Sequence, residues 1–480
     1  MGKESPMISK YDARAWKLPK TGAHFSTSDP KLMRLYDKAE RCCQGNRVMI
    51  HGRPFLREGG GYGNIWLETQ PMGGAMYAVR DVETALNNVL VFMQYQRRDG
   101  RMPGMLFQAD GRGLCACYDW FQGFCFPHPA MQMAAWLDWK SDFLSMVYDA
   151  LKDFDDYLWR TRENADGCLT RWCSWDTGED NLALLLENGG ADGCCGGETF
   201  PKAAGRSMPW TSMEMMSWSC QSRETLADLS RLLKNGQETS WRMAAKDVQD
   251  RLRKNLWDEE KGACYERDSD GQPLECLMHS NLRCMYFGAF TRKMAETFVR
   301  RHLLNPEEFF TPLPLPSVSV SDPWFRNIPE NNWSGPVQGL TWQRSSDALL
   351  NYGFHREHVL LGQIWMNHLK NTDKLTQQYD PFTGKAGNGP DGYGPTCLSA
   401  LEYTALLWGI HVGDRNLTVT SVSDGTESCY EQIIGEDVYR LVRDRTKLHL
   451  YRNEKLLAED GHGVRLILSR KGEMLERISL

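Results

Sequence analysis

No apolar run in this sequence approaches the roughly 18 residues that a membrane-spanning helix requires, so no such helix is expected. Basic residues are not in excess: 56 Lys and Arg face 62 Asp and Glu, a net charge of −6, which excludes a nucleic-acid binder held by bulk electrostatics. Residues Met1 to Lys10 contain no apolar stretch of the kind that directs secretion, and Pro6 spoils a loose likeness to a myristoylation site. The 15 cysteines are odd in number, lack scaffold-like spacing and include the adjacent pairs Cys42-Cys43 and Cys194-Cys195. They suit free thiols in a reducing compartment, so a cytoplasmic location is expected. Cys115-x-Cys117 and Cys194-Cys195 lack the spacing and nearby histidines of a zinc site, and no metal or other cofactor is expected. Gly59-Gly-Gly-Tyr-Gly63 lacks the Lys-Ser/Thr of a phosphate loop, and no serine stands in a Gly-x-Ser-x-Gly setting.

What is abundant is aromatic surface: 17 Trp, 17 Tyr and 18 Phe in 480 residues. From about 30 to 412 the chain reads as helix after helix. In 142–162, Phe143, Leu144, Val147, Leu151, Phe154 and Leu158 recur at three- and four-residue steps, while Asp149, Lys152, Asp153 and Asp156 fill the other face. Similar stripes predict helices at 77–97, 239–257 and 355–370; with 30–44, 127–139, 219–235, 280–289, 291–303, 340–353 and 396–411 they make roughly a dozen. Such a series fits a bundle, a solenoid or a toroid of paired helices. Bundles and solenoids have mostly short connections, whereas 98–126, 163–181, 187–211, 305–339 and 371–395 are long and rich in aromatic and acidic residues. The expected fold over 30–412 is therefore all-α, a toroid of paired helices. After Val412, alternation in 416–422, 437–443, 446–452, 463–469 and 473–479 predicts a small antiparallel β unit at 413–480, leaving 1–29 as an N-terminal extension.

The most informative stretch is Trp175-Asp176-Thr-Gly-Glu179-Asp180-Asn181, in which three carboxylates stand beside tryptophan on a Gly-containing loop. A carboxyl group held against aromatic surface has its charged form desolvated and its pKa raised, which suits a general acid. The run resembles the Trp-Glu-Ser-Gly-x-Asp-Asn loop of the (α/α)6-barrel inverting glycoside hydrolases related to trehalase, processing α-glucosidase and mannosylglycerate hydrolase (family 63 and its neighbours). Gln96-Arg-Arg-Asp-Gly-Arg-Met-Pro103 is similar to their Q-x-x-D-G-x-x-P helix exit, and Asn332-Trp333-Ser-Gly-Pro-Val337 to Y-W-R-G-P-V. Tyr379-Asp-Pro-x-Thr-Gly384 resembles E-x-Y-x-P-x-T-G. The resemblance covers about 60–412 in order. It implies an exo-acting inverting glycosidase on a short α-linked glucoside or a related di- or oligosaccharide, with Asp180 as the acid.

Inverting hydrolysis needs a second carboxylate to activate water, about 6.5–9.5 Å from the first. At the position the resemblance assigns to that base stands Gln377, and an amide cannot take the proton. Three readings follow: an engineered Glu→Gln variant, another base among Asp380, Asp391, Glu330 and Glu402, or a carbohydrate-binding protein without turnover. An unsaturated glucuronyl hydrolase or another sugar-active toroid enzyme is a further alternative. Sugar rings stack on aromatic faces and need polar groups at their rims, so Tyr62, Trp66, Tyr118, Trp120, Trp175, Trp210, Trp333 and Tyr379 are candidate substrate contacts, with Asp176 beside them. Arg80-Asp81 either clamps a sugar hydroxyl or forms an ion pair. The expected partner is a small carbohydrate, with neither nucleic acid nor membrane; the oligomeric state is not legible.

Overall fold

The structure, a computed structural model, describes residues 9–109, 113–194, 200 and 207–480. The pair Cys194-Cys195 therefore lies only half within the described residues.

Helix α1 (Pro30–Asn46) starts where Asp29 accepts hydrogen bonds from Lys31 N and Leu32 N and Pro30 occupies the first turn, and it buries Leu32, Leu35, Tyr36, Ala39 and Cys43 on one face. There follow α2 (Gln70–Tyr77), α3 (Val82–Gln94), α4 (Pro127–Trp136), α5 (Ser141–Arg162), the short α6 (Ala183–Glu187) and α7 (Met213–Leu233). Then come α8 (Glu238–Leu256), α9 (Ser280–Tyr286), α10 (Arg292–Phe298), α11 (Gly339–Leu350), α12 (His355–Leu369) and α13 (Gly394–Trp408).

The packing order closes on itself. Helix α2 packs on α4, α4 on α7, α7 on α9, α9 on α11, α11 on α13, and α13 back on α2. These six are largely buried: every residue of α9 is buried, as is every residue of α13 except Glu402, and α7 is buried all round in its first turns. Outside them, α1 packs on α13, α3 on α2, α5 and α8 on α7, and α12 on α11. Outer helices such as α8 carry a buried stripe, Ala245, Val248, Leu252 and Leu256, whereas α3 is buried nearly all round.

Two differences from the sequence expectation stand out in the helices. The helix expected at 77–97 is α3, which starts only at Val82, where the Asp81 carboxylate caps Thr84 N, and α2 before it is not among the expected helices. Helix α7 begins at Met213 rather than 219, because its first turns are buried all round and carry no stripe.

The body is not purely helical. Its loops form short antiparallel pairings: Ile65–Trp66 with Met105–Ala109 and Gly113–Cys117, Thr170–Arg171 with Trp210–Thr211, and Val337–Gln338 with Gln378–Tyr379. The C-terminal region forms two antiparallel sheets. One contains Ile410–Val412, Asn416–Ser421, Val464–Ser469 and Met474–Ser479; the other runs Ser428–Ile434, Asp437–Arg443, Lys447–Arg452 and Lys455–Gly461. Strand Thr21–Thr27, inside the stretch expected as an extension, pairs along its whole length with Ser428–Ile434. Ile410–Val412 likewise joins a sheet from just before the expected boundary.

Among the described residues no helix is long and apolar enough to cross a membrane, and every described cysteine is a free thiol.

Candidate active site

The long loops converge on a cavity of about 140 Å³ lined by Tyr62, Trp66, Trp120, Trp175, Asp180, Trp333 and Gln377, together with Glu58, Glu68, Gln122, Gly178, Leu340 and Tyr393. Each wall arrives on a different element. Tyr62 ends a tight turn in which Gly59 N donates to Tyr62 O at 2.9 Å and Tyr62 N to Gly59 O at 3.0 Å. Gly60 in that turn has φ +59°, and a Cβ there would lie 2.7 Å from Tyr393 Cα, so only glycine fits. Gln377 immediately precedes the strand Gln378–Tyr379, and its carbonyl accepts Gly339 N at 2.8 Å.

Asp180 sits beside the loop 331–333, where Trp333 N donates to Asp180 O at 3.2 Å. Its Oδ2 accepts from Asn331 Nδ2 at 2.9 Å, while its Oδ1 is buried and has no protein partner. Burial raises its pKa to about 6 against the lowering effect of the Asn331 bond. From Asp180 a hydrogen-bonded chain runs along the wall: Asn331 Oδ1 accepts from Gln377 Nε2 at 3.0 Å, and Gln377 Oε1 from the Tyr62 hydroxyl at 2.8 Å. Asp180 and Gln377 are thus one asparagine amide apart.

Two further carboxyls face the same space. Glu68 accepts from Arg344 Nη2 at 3.0 Å and lies 3.6 Å from Arg283; burial lifts its pKa to about 7 against the pull of these cations. Glu58, 7% exposed, accepts the Tyr393 hydroxyl at 2.9 Å, and burial foremost, with the Glu68 and Asp180 charges adding to it, holds its carboxyl well above the usual range.

The indoles are fixed in turn. Trp120 and Trp175 meet edge to face at 4.8 Å, and Trp333 is stacked on His279 at 5.2 Å with the Arg283 guanidinium 4.9 Å from its ring. The Nε1 atoms of Trp66, Trp120 and Trp333 are buried without protein acceptors. Aromatic faces, unpartnered donors and three carboxyls in one closed space match a small polyhydroxylated ring.

Residues 72–395 match the mannosylglycerate hydrolase MGH1-like glycoside hydrolase domain. The chain belongs to this glycoside hydrolase family. Among solved structures, this hydrolase-family chain is similar to the GH63 mannosylglycerate hydrolase from Thermus thermophilus in complex with glucose, at 19% identity and TM-score 0.61, over 76% of this chain and 99% of that one. It is also similar to the neutral trehalase of Saccharomyces cerevisiae, at 13% identity and TM-score 0.57, over 77% and 80%. A structure described as a sialidase matches at 13% identity and TM-score 0.69, over 93% of this chain and 41% of that one. No curated protein matches the sequence.

Six of the expected contact residues do not line the cavity of this glycoside hydrolase. Asp176 is bonded inward, to Arg162 Nη1 at 2.7 Å, Trp172 N at 2.9 Å and Phe121 N at 3.2 Å, and so ties its own loop to the end of α5 and to the loop that carries Phe121. Arg80 pairs with Glu40 at 2.6 Å, and Asp81 caps α3 and bonds Arg47 at 2.8 Å. The Tyr118 hydroxyl donates to Tyr95 O, and Trp210 is fully buried under Arg171 with its Nε1 on Ser207 Oγ at 3.2 Å. Tyr379 is packed against Trp365 and His368, its hydroxyl donating to Lys374 O at 2.8 Å.

The bases considered in place of residue 377 are also occupied elsewhere. Asp380 caps the 382–383 turn, Asp391 pairs with Lys38, Glu330 accepts from Asn388 and Glu402 pairs with His411. Glu179, between Asp176 and Asp180, is buried yet held ionised by Arg171, His279 and Arg283, so it belongs to the scaffold.

Sequence reasoning missed Glu58, Glu68, Asn331, Leu340 and Tyr393. For Glu58 a signal existed: an acid standing directly before Gly59-Gly60-Gly61.

Proposed function

We propose that this chain is an exo-acting, anomer-inverting glycosidase for a short α-linked glucoside or a related small saccharide. Its body would be an (α/α)6 toroid over about 30–412, with the site at one end of the ring and a β unit over 413–480. The ring of six buried helices supports that architecture, and the free thiols agree with a reducing, cytoplasmic setting. Asp180 carries the functional reading, because it lines a cavity walled by indoles, with one oxygen held by Asn331 and the other buried without a protein partner. A carboxyl group with a pKa near 6 holds a proton in mildly acidic solution and can give it to a glycosidic oxygen. At about 140 Å³ the cavity has room for about one sugar ring, which supports attack at a chain end.

In the proposed reaction the sugar ring lies among Trp66, Trp120, Trp175 and Trp333. Asp180 protonates the leaving oxygen, positive charge builds at the anomeric carbon and ring oxygen, and water adds from the opposite face. No cofactor is called for.

The test is an NMR time course on α- and β-linked gluco-, manno- and galacto-disaccharides. Consumption of an α-glucoside with the β-anomer appearing first is expected. First appearance of the α-anomer would exclude inversion, and silence across the panel would remove the hydrolase reading. Gln377 favours a second reading, a sugar-binding protein without turnover, for which saturable binding of a disaccharide that is never cleaved would be the signature.

A further inference from the structure

An inverting hydrolase whose base position holds an amide needs its proton acceptor elsewhere. Gln377 is committed at both ends of its amide, to Tyr62 and to Asn331. The carboxyls lining the cavity are Asp180, Glu68 and Glu58. Glu68 is neutralised by Arg344 and Arg283, whereas among the described residues no cation pairs with Glu58, whose bonded partner is the Tyr393 hydroxyl. Glu58 lines the same cavity as Asp180 and is connected to it through a series of side chains. Going round the wall from Asp180 one meets Asn331, Gln377 and then Tyr62, whose ring lies 6.1 Å from that of Tyr393, and Tyr393 reaches Glu58.

Resting on the glycosidase reading, we propose that Glu58 takes the proton of the attacking water in this chain. As the water oxygen bonds to the anomeric carbon, one of its O–H bonds breaks and the proton passes to the Glu58 carboxylate. The bond from that carbon to the glycosidic oxygen breaks, and the oxygen takes the Asp180 proton. The products are a free sugar and an alcohol; Glu58 then returns its proton to solvent and Asp180 regains one. Burial and the neighbouring acids make the ionised form of Glu58 scarce, but the same proton affinity makes it a strong acceptor.

The test uses α-glucosyl fluoride, whose fluoride departs without a proton, with the full chain and its Glu58→Gln, Glu58→Ala and Asp180→Asn variants. Glu58→Gln is expected to lower kcat by about 10²–10⁴-fold, with Asp180→Asn costing far less on this substrate. Azide attacks without losing a proton, so it is expected to restore turnover to Glu58→Ala and yield β-glucosyl azide, a product that also reports a folded site. In a Gln377→Glu background, Glu58→Gln is expected to cost as much as in the parent. Glu58→Gln turnover within a few-fold of the parent overturns the assignment. A dead Glu58→Ala that azide does not revive does so too, since it marks a structural role, and so does indifference to Glu58 once residue 377 is Glu. Silence of the parent on both fluoride anomers and on the disaccharides is a separate failure, which removes the glycosidase reading and this assignment with it.

Discussion

At neutral pH the Asp180 carboxylate sits where its neutral form is favoured, and that has a measurable cost in stability. Its folded pKa of about 6 lies above the unfolded value of about 3.9. A raised acid contributes its full share below the unfolded value and loses it as pH climbs to the folded value; the gap corresponds to about 3 kcal/mol. Asp180→Asn, which can still accept from Asn331, should therefore match the parent in urea melts near about pH 4 and exceed it above about pH 7, while hydrolysis of disaccharides is lost. Asn331→Ala removes a donor that favours the charged form, so the alkaline limb of kcat/KM, where Asp180 loses its proton, should move to higher pH. Trp333→Ala should weaken sugar binding by about 1–3 kcal/mol in calorimetry, the scale of losing one buried aromatic wall. At this scale the sequence was legible where chemistry is contiguous: Trp175 and Asp180 share a short loop. It was illegible where role depends on closure, because nothing local distinguishes Trp210, packed under Arg171, from Trp333, which faces the cavity. Nor does anything local mark Asn331 as the link between Asp180 and Gln377.

Among the helices, those with one wet face could be read from their stripes; α4, α9, α11 and α13, buried nearly all round, could be read as well, but α2 could not. Helix α5 displays its stripe of Phe143, Val147, Leu151, Phe154 and Leu158 because its other side is solvated. Helix α2 has Pro71 in its first turn and Gly73 and Gly74 in its interior and is buried nearly all round, so neither period nor propensity announced it. Helix α7 was read only from its striped second half. In the loops, the turn at 59–62 shows how backbone freedom serves the site. Gly60→Ala must strain a left-handed residue and push on Tyr393, and it should cost about 1–3 kcal/mol in thermal or urea unfolding. Because Tyr393 and Tyr62 both border the cavity, the same change should also weaken sugar binding.

The sheets at the C-terminus are tied to the helical body by Arg465, which is fully buried and bonds His355 at 2.9 Å, His358 at 3.1 Å and Leu406 O at 3.3 Å. Arg465→Ala would strand those acceptors, and a loss of about 3 kcal/mol or more in urea unfolding is expected. Alternation made most of these strands readable, yet Ser428–Ile434 and Lys455–Gly461 escaped, and so did their partner Thr21–Thr27 some four hundred residues upstream. That pairing and the return of α13 onto α2 bear on how the protein is made. A chain emerging from the ribosome presents α2, α4, α7 and α9, each largely buried in the finished fold, long before α13 exists to cover the first of them. Folding dominated by such distant contacts is slow, and its partly formed states stick to one another. Because α13 packs on both α11 and α2, the ring closes only once α13 has been made, and until then the cavity at the convergence of its loops has no complete ring to stand on.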